Sequence, residues 1–138
     1  GERVVKAVLA AGLRVEPVPG CCALVAALAA SGLPTAEFHF PGFLPHKSGA
    51  RRKELERLKG MAGTLILYES PYRIERLLVE LDDLLAGRQV VLAREVTKKF
   101  EEYLRGTPAQ LRQMAQKRAW KGEFVVLIGP ENSAKNGQ

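Results

Sequence analysis

Three apolar runs of strand length, at residues 64–68, 89–93 and 123–128, constrain the fold more than any other feature, because each is nearly continuous in Leu, Ile and Val. A strand with one wet face alternates apolar and polar residues, whereas a strand that is apolar throughout has to be covered on both faces. Between the first two runs, Ile74, Leu77, Leu78, Leu81, Leu84 and Leu85 recur at helical spacing over 71–85. Buried strands alternating with an amphipathic helix predict an α/β fold, a mixed and mostly buried sheet of about five strands flanked by helices.

Two weaker runs complete that sheet. Residues 37–43 read as a fourth strand. Residues 100–105, where Phe100, Tyr103 and Leu104 stand among charges, read as an edge strand. Ser70 is placed to cap the 71–85 helix. Thr107-Pro108-Ala109-Gln110 is a capping box with proline at the first helical position, which predicts a helix to about residue 118. The helix over 50–59 has only Leu55 and Leu58 as large apolar residues and belongs on the surface. Nearer the start, 3–11 reads as a helix stopped by Gly12, and 13–18 as a strand that Pro17 and Pro19 confine to an edge. Residues 21–30 are apolar on every side, as suits a helix wedged between layers. Ser31-Gly32-Leu33-Pro34 ends that helix and marks a boundary, with one unit over 1–32, an α/β domain over 33–130 and a disordered tail over 131–138.

At 138 residues and 46% hydrophobic content the chain can bury one sizeable core. The formal net charge of +6 favours polyanionic partners such as RNA, while 7% aromatic content does not suggest a base-stacking surface. Cys21 and Cys22 are adjacent and cannot form a stabilising bridge, so a reduced cytoplasmic protein is expected, without a membrane span. Neither the cysteines nor His39 and His46 have metal-ligand spacing, and no metal is expected. Phosphate-loop, dinucleotide and nucleophile-elbow motifs are absent.

Candidate chemistry gathers at strand ends. Tyr68-Glu69-Ser70 follows one strand, Arg94-Glu95-Val96-Thr97-Lys98 follows another, and Gly122-Glu123 precedes the last. The carboxyl ends of strands are where open α/β sheets hold ligands. Ordinary turn chemistry, with Ser70 capping and Glu95 paired to Arg94 or Lys98, accounts for the same residues. Lys47, Arg51, Arg52 and Lys53 crowd the start of a polar helix, against the helix dipole, and so invite an anion. A solvated face remains open as the alternative.

Six strings occur in one order: Val18-Pro19-Gly20-Cys21-Cys22-Ala23, Ala30-Ser31-Gly32-Leu33-Pro34-Thr35, Gly42-Phe43-Leu44-Pro45, Tyr68-Glu69-Ser70-Pro71, Ala93-Arg94-Glu95-Val96-Thr97-Lys98 and Lys121-Gly122-Glu123. In this the chain resembles the ribosomal RNA small-subunit methyltransferase I family of the tetrapyrrole methylase superfamily, over residues 1 to about 129. Cysteine at position 21, Pro41 and Tyr72 depart from the family pattern.

The resemblance implies a homodimer of two-domain protomers holding S-adenosylmethionine in the interdomain cleft. It also implies 2'-O-methylation of a cytidine in 16S ribosomal RNA or the small ribosomal subunit. Residues 1–32 would then be the remnant of an N-terminal cofactor-binding domain and its linker helix, with Gly1 ending a Ser-Asp-Pro-Gly motif. A chain so truncated is expected to be inactive alone. By similarity, Cys22, Ala23, Tyr68, Ala93, Gly122 and Glu123 would meet the cofactor. Glu69, Glu95 and Lys98 are candidates to take the hydroxyl proton, and Lys47, Arg51, Arg52 and Lys53 would contact RNA. A tetrapyrrole methylase, or a non-catalytic RNA-binding or dimerisation module, remains as the alternative.

Overall fold

The computed structural model describes residues 1–131, so the expected tail over 131–138 lies, from residue 132 on, outside the described residues. Five strands form one mixed sheet in the order β1-β2-β5-β3-β4. They are β1 (Phe38–Phe43), β2 (Thr64–Glu69), β3 (Val90–Arg94), β4 (Glu102–Gly106) and β5 (Phe124–Ile128). β1 and β2 are parallel, while β5 runs antiparallel to both of its neighbours, β2 and β3. β1, β2 and β3 therefore point the same way and end along one rim, where β5 begins. The three apolar runs are the three central strands, and the charged run is the edge strand β4, as their compositions predict.

Alternate residues of the central strands feed two cores. Leu65, Leu67, Leu92, Phe124 and Val126 pack under α3 (Ser48–Lys59), α4 (Ile74–Leu85) and α5 (Pro108–Ala115). Ile66, Val91, Ala93, Val125 and Leu127 pack instead under α2 (Ala23–Ser31), through Ala27 and Leu28. The expectation that the 21–30 helix is buried all round is not met. One face of α2 lies on the sheet, and the other leaves Val25 exposed, because no second layer covers it among the described residues. Arg105 on β4 fastens α2, donating from Nη2 to the Ala30 carbonyl (2.7 Å) and from Nε to the Ser31 carbonyl (3.1 Å) at the helix end.

Other expectations need correction. Residues 13–18 form no strand, since none of the five strands offers them a ladder and Pro17 and Pro19 lack the donor. The helix α1 (Glu2–Ala10) forms and ends through Gly12 at φ 72, but it buries no residue. Ser70 caps nothing: the chain makes a turn in which the Arg73 amide donates to the Ser70 carbonyl (3.1 Å), and α4 starts at Ile74. The capping box at Thr107 is present with both reciprocal bonds, although α5 ends at Ala115, short of 118.

Candidate functional site

The rim where β1, β2 and β3 end and β5 begins carries a pocket of about 400 Å³. Its apolar wall comes from Phe43, Val96, Phe124 and Val125, and its polar lining includes Glu69, Ser70, Lys98 and Glu123. Ala23, the first residue of α2, forms one side, and its small side chain keeps that side open. Among the sequence-selected residues, the fold thus brings Ala23, Tyr68, Glu69, Lys98 and Glu123 to one place. Burial, with the neighbouring exposed Cys22 adding to it, pushes the Tyr68 phenol up in pKa, against a backbone hydrogen bond from Leu24. Ala93 does not line the pocket; it is fully buried behind it in the core under α2.

The aromatic rim depends on an irregularity in β1. The pairing of β1 with β2 shifts between His39 and Gly42. Strict alternation would send residues 40 and 43 to opposite faces, but the inserted residue lets both reach one ring. Phe40 and Phe43 meet Tyr68 edge-on, with centroids 4.8 and 5.8 Å away. Sequence reasoning did not select Phe43, Ser70, Pro71, Val96, Phe124 or Val125 as site residues. Phe43, Ser70, Pro71 and Val96 do stand inside the ordered strings, whereas Phe124 and Val125 read only as strand core.

Glu95 and Lys98 build the floor beside the pocket. Glu95 sits at φ 50 and Thr97 at φ 65, both in the left-handed region that side chains disfavour. The tight loop is held by Glu95 Oε1, which accepts from the Glu123 amide (2.9 Å) and from Lys98 Nζ (3.0 Å). Lys98 also reaches Glu123 Oε2 at 2.8 Å. The Glu123 amide and the Lys98 ammonium hold the Glu95 carboxyl below its usual range. Hydrogen bonds to Glu123 and Glu95 raise the Lys98 ammonium, so it remains a cation. Gly122, at φ 88, admits this arrangement, since a Cβ there would lie 2.5 Å from the Glu95 side chain.

Glu69 is only 3% exposed and ends β2 at the pocket wall. Its Oε1 accepts from the Ser70 amide (2.8 Å) and lies 3.2 Å from Arg73 Nε. Both interactions fall on Oε1, and among the described residues no hydrogen bond to Oε2 accompanies them.

The cations at the start of α3 divide. Arg51 is 4% exposed and binds Glu80 of α4 in a fork, Nε to Oε2 at 2.5 Å and Nη2 to Oε1 at 2.7 Å. Its sequence-based role at an RNA surface does not fit that placement. Arg52 reaches Asp83 at 2.9 Å on the surface, while Lys47 and Lys53 are exposed. Among the described residues no three His, Cys, Asp or Glu side chains stand together as metal ligands, and no helix is long and apolar enough to cross a membrane.

The family model for Tetrapyrrole (Corrin/Porphyrin) Methylases matches residues 1–112. A protein of Halalkalibacterium halodurans named Ribosomal RNA small subunit methyltransferase I is 43% identical over 128 residues, covering 93% of this chain and 44% of its own. One of the same name from Xylella fastidiosa is 47% identical over 131 residues, covering 93% of this chain and 48% of its own. The chain therefore spans less than half the length of these relatives. Among solved structures, the methyltransferase CobJ superposes with a TM-score of 0.67 at 22% identity, covering 99% of this chain and 61% of that one. Uroporphyrin-III C-methyl transferase from Thermus thermophilus, complexed with S-adenyl homocysteine, gives 0.60 at 19% identity, covering 94% and 58%. These two likenesses establish the fold.

Proposed function

Because this chain belongs to the tetrapyrrole (corrin/porphyrin) methylase family, we propose that its rim pocket holds S-adenosylmethionine and that the protein carrying it methylates small-subunit ribosomal RNA, on a cytidine 2'-hydroxyl. The observation that carries this reading is the pocket itself. A cavity of about 400 Å³ at the carboxyl ends of three co-directional strands lies in the usual range for small-molecule sites, about 300–1,000 Å³. Its composition fits the cofactor. Tyr68, Phe43 and Val125 offer an apolar wall for an adenine, and the exposed Glu123 carboxylate can accept from ribose hydroxyls. The relatives' printed names support the RNA substrate.

When bound, S-adenosylmethionine supplies an electrophilic methyl group. The chain's task is then to orient the acceptor and receive its proton. Of the three carboxylate and amine candidates, Lys98 stays charged and Glu95 is committed to the loop, so neither is suited to accept a proton. Glu69 Oε2 is the remaining acceptor, with Oε1 fixed by Ser70 and Arg73. Lys98 and Glu95 position Glu123, and the Gly122 backbone lets them approach it.

The same reading takes residues 1–32 as the end of an N-terminal domain, with α2 as the linker that docks on the sheet, and 33–130 as the second domain. The exposed Val4, Val5 and Leu9 of α1 are then the face on which further chain or a second protomer of a cytoplasmic homodimer packs. The test is transfer of tritiated methyl from S-adenosylmethionine to small ribosomal subunits by the protein at its relatives' length. Label is expected in RNA, at a cytidine ribose, and Glu69→Gln should lower kcat more than it raises KM. Label appearing only in an added porphyrinoid would contradict the RNA assignment.

A further inference from the structure

A second cavity, of about 390 Å³, opens between α3 and α4 and is lined by His46, Ser48, Arg51, Arg52, Arg76 and Glu80. Its charges do not cancel. Arg51 and Glu80 neutralise each other in the buried fork, and Ser48 Oγ donates to Glu80 Oε1 at 2.9 Å. Arg52 shares Asp83 at the surface. Arg76 is exposed and, among the described residues, has no carboxylate within ion-pair distance. His46 adds a donor: arginine has no acceptor, so its bond from Arg73 Nη1 at 3.1 Å ends on His46 Nδ1 and leaves the ring proton on Nε2.

The frame around these groups is built. The loop carrying His46 is clamped from two directions, by Arg51 Nη1 on the His46 carbonyl (3.0 Å) and by Arg73 Nη2 on the Leu44 carbonyl (3.0 Å). The first turn of α3, whose backbone amides have no partner within the helix, comes to the same place, with open space over Gly49. Lys47 caps this end of a twelve-residue helix without a side-chain bond. Cations at a helix N-terminus oppose its dipole, and an anion seated among them removes that conflict.

We infer that this cavity is a phosphate subsite, seating one phosphodiester of the RNA through Arg76, Arg52 and His46. The inference rests on the RNA reading above and deepens it. Arg73 joins the two sites, with Nε 3.2 Å from Glu69 on the cofactor-pocket wall and Nη1 on His46 in the second cavity. A phosphate held here therefore places the neighbouring nucleotide on the side of Glu69.

The test is fluorescence anisotropy of labelled small-subunit ribosomal RNA with the protein at its relatives' length, over a salt series. Each phosphate contact contributes about 0.7–0.9 to the slope of log K against log salt. Arg76→Ala is expected to lower the slope by about that amount, with unchanged affinity for S-adenosylhomocysteine and an unchanged melting midpoint. Arg76→Lys should restore the slope. Arg57→Ala, at the far end of α3 and paired with Glu54, should leave it alone. A steep wild-type slope that neither Arg76→Ala nor Arg52→Ala alters would overturn the subsite while leaving RNA binding intact. Salt-independent or absent binding by the wild type would overturn the RNA reading and the subsite with it.

Discussion

Arg51 and Glu80 fix the point where α3 meets α4, and both are nearly excluded from water, at 4% and 5% exposure. Removing one partner of a buried ion pair leaves an uncompensated charge, which costs about 3–5 kcal/mol. Glu80→Ala should lower the urea midpoint accordingly, and a loss under about 1 kcal/mol would mean the pair is no stronger than a surface one. Burial alone would raise the Glu80 carboxyl, but hydrogen bonds from Arg51 and Ser48 outweigh it and hold the group below its ordinary 4.5. A folded pKa below the unfolded one gives stabilisation that is complete above the unfolded value and disappears as pH falls through the folded value. Melting midpoints should therefore drop on acidification below pH 4.5, and Glu80→Gln should flatten that limb. Gly122 makes a different demand: Gly122→Ala places a Cβ against Glu95 and forces a left-handed φ, a strain of about 1–3 kcal/mol. The variant should fold less stably and bind S-adenosylhomocysteine more weakly; unchanged binding would show that the Glu95–Lys98–Glu123 knot does not shape the pocket.

Among the elements, α5 is the one whose local code is most complete. Thr107 accepts from the Gln110 amide (3.3 Å), and Gln110 Oε1 accepts from the Thr107 amide (2.9 Å). Thr107→Ala is expected to cost about 0.5–2 kcal/mol, read as a shift in urea midpoint at constant m-value. The central strands and α4 were legible because burial on both faces, or on one helical stripe, writes directly into composition and period. Residues 13–18 depart from the expected strand for a reason of the same kind: alternation permits a strand, but only a neighbouring ladder makes one. α4 starts later than the capping pattern predicts because the Ser70 carbonyl accepts from the Arg73 amide in a turn that capping rules do not consider. The bulge that turns Phe40 and Phe43 onto Tyr68 left no periodic trace, since a register shift is set by the partner strand.

Across the described residues, the sheet brings together strand ends that are far apart in sequence, and that assembly gathers Tyr68, Glu69, Lys98 and Glu123 around one pocket. Strand-end chemistry and the ordered strings point to these pocket-lining residues, while the pocket's apolar wall stays hidden because Phe124 and Val125 serve as core and lining at once. The basic cluster was legible as charge and not as geometry: nothing in the sequence places Arg51 against Glu80, or Arg76 beside Arg52, because those partners lie on different helices. On the function proposed above, the rim pocket is the cofactor site. Calorimetric titration of S-adenosylhomocysteine into the protein at its relatives' length, wild type against Ala23→Phe, tests it most directly. Binding by the wild type, lost when a phenyl ring fills the open side of the pocket while the melting midpoint holds, is the predicted result. Equal affinity in both proteins, or none in the wild type, would contradict it.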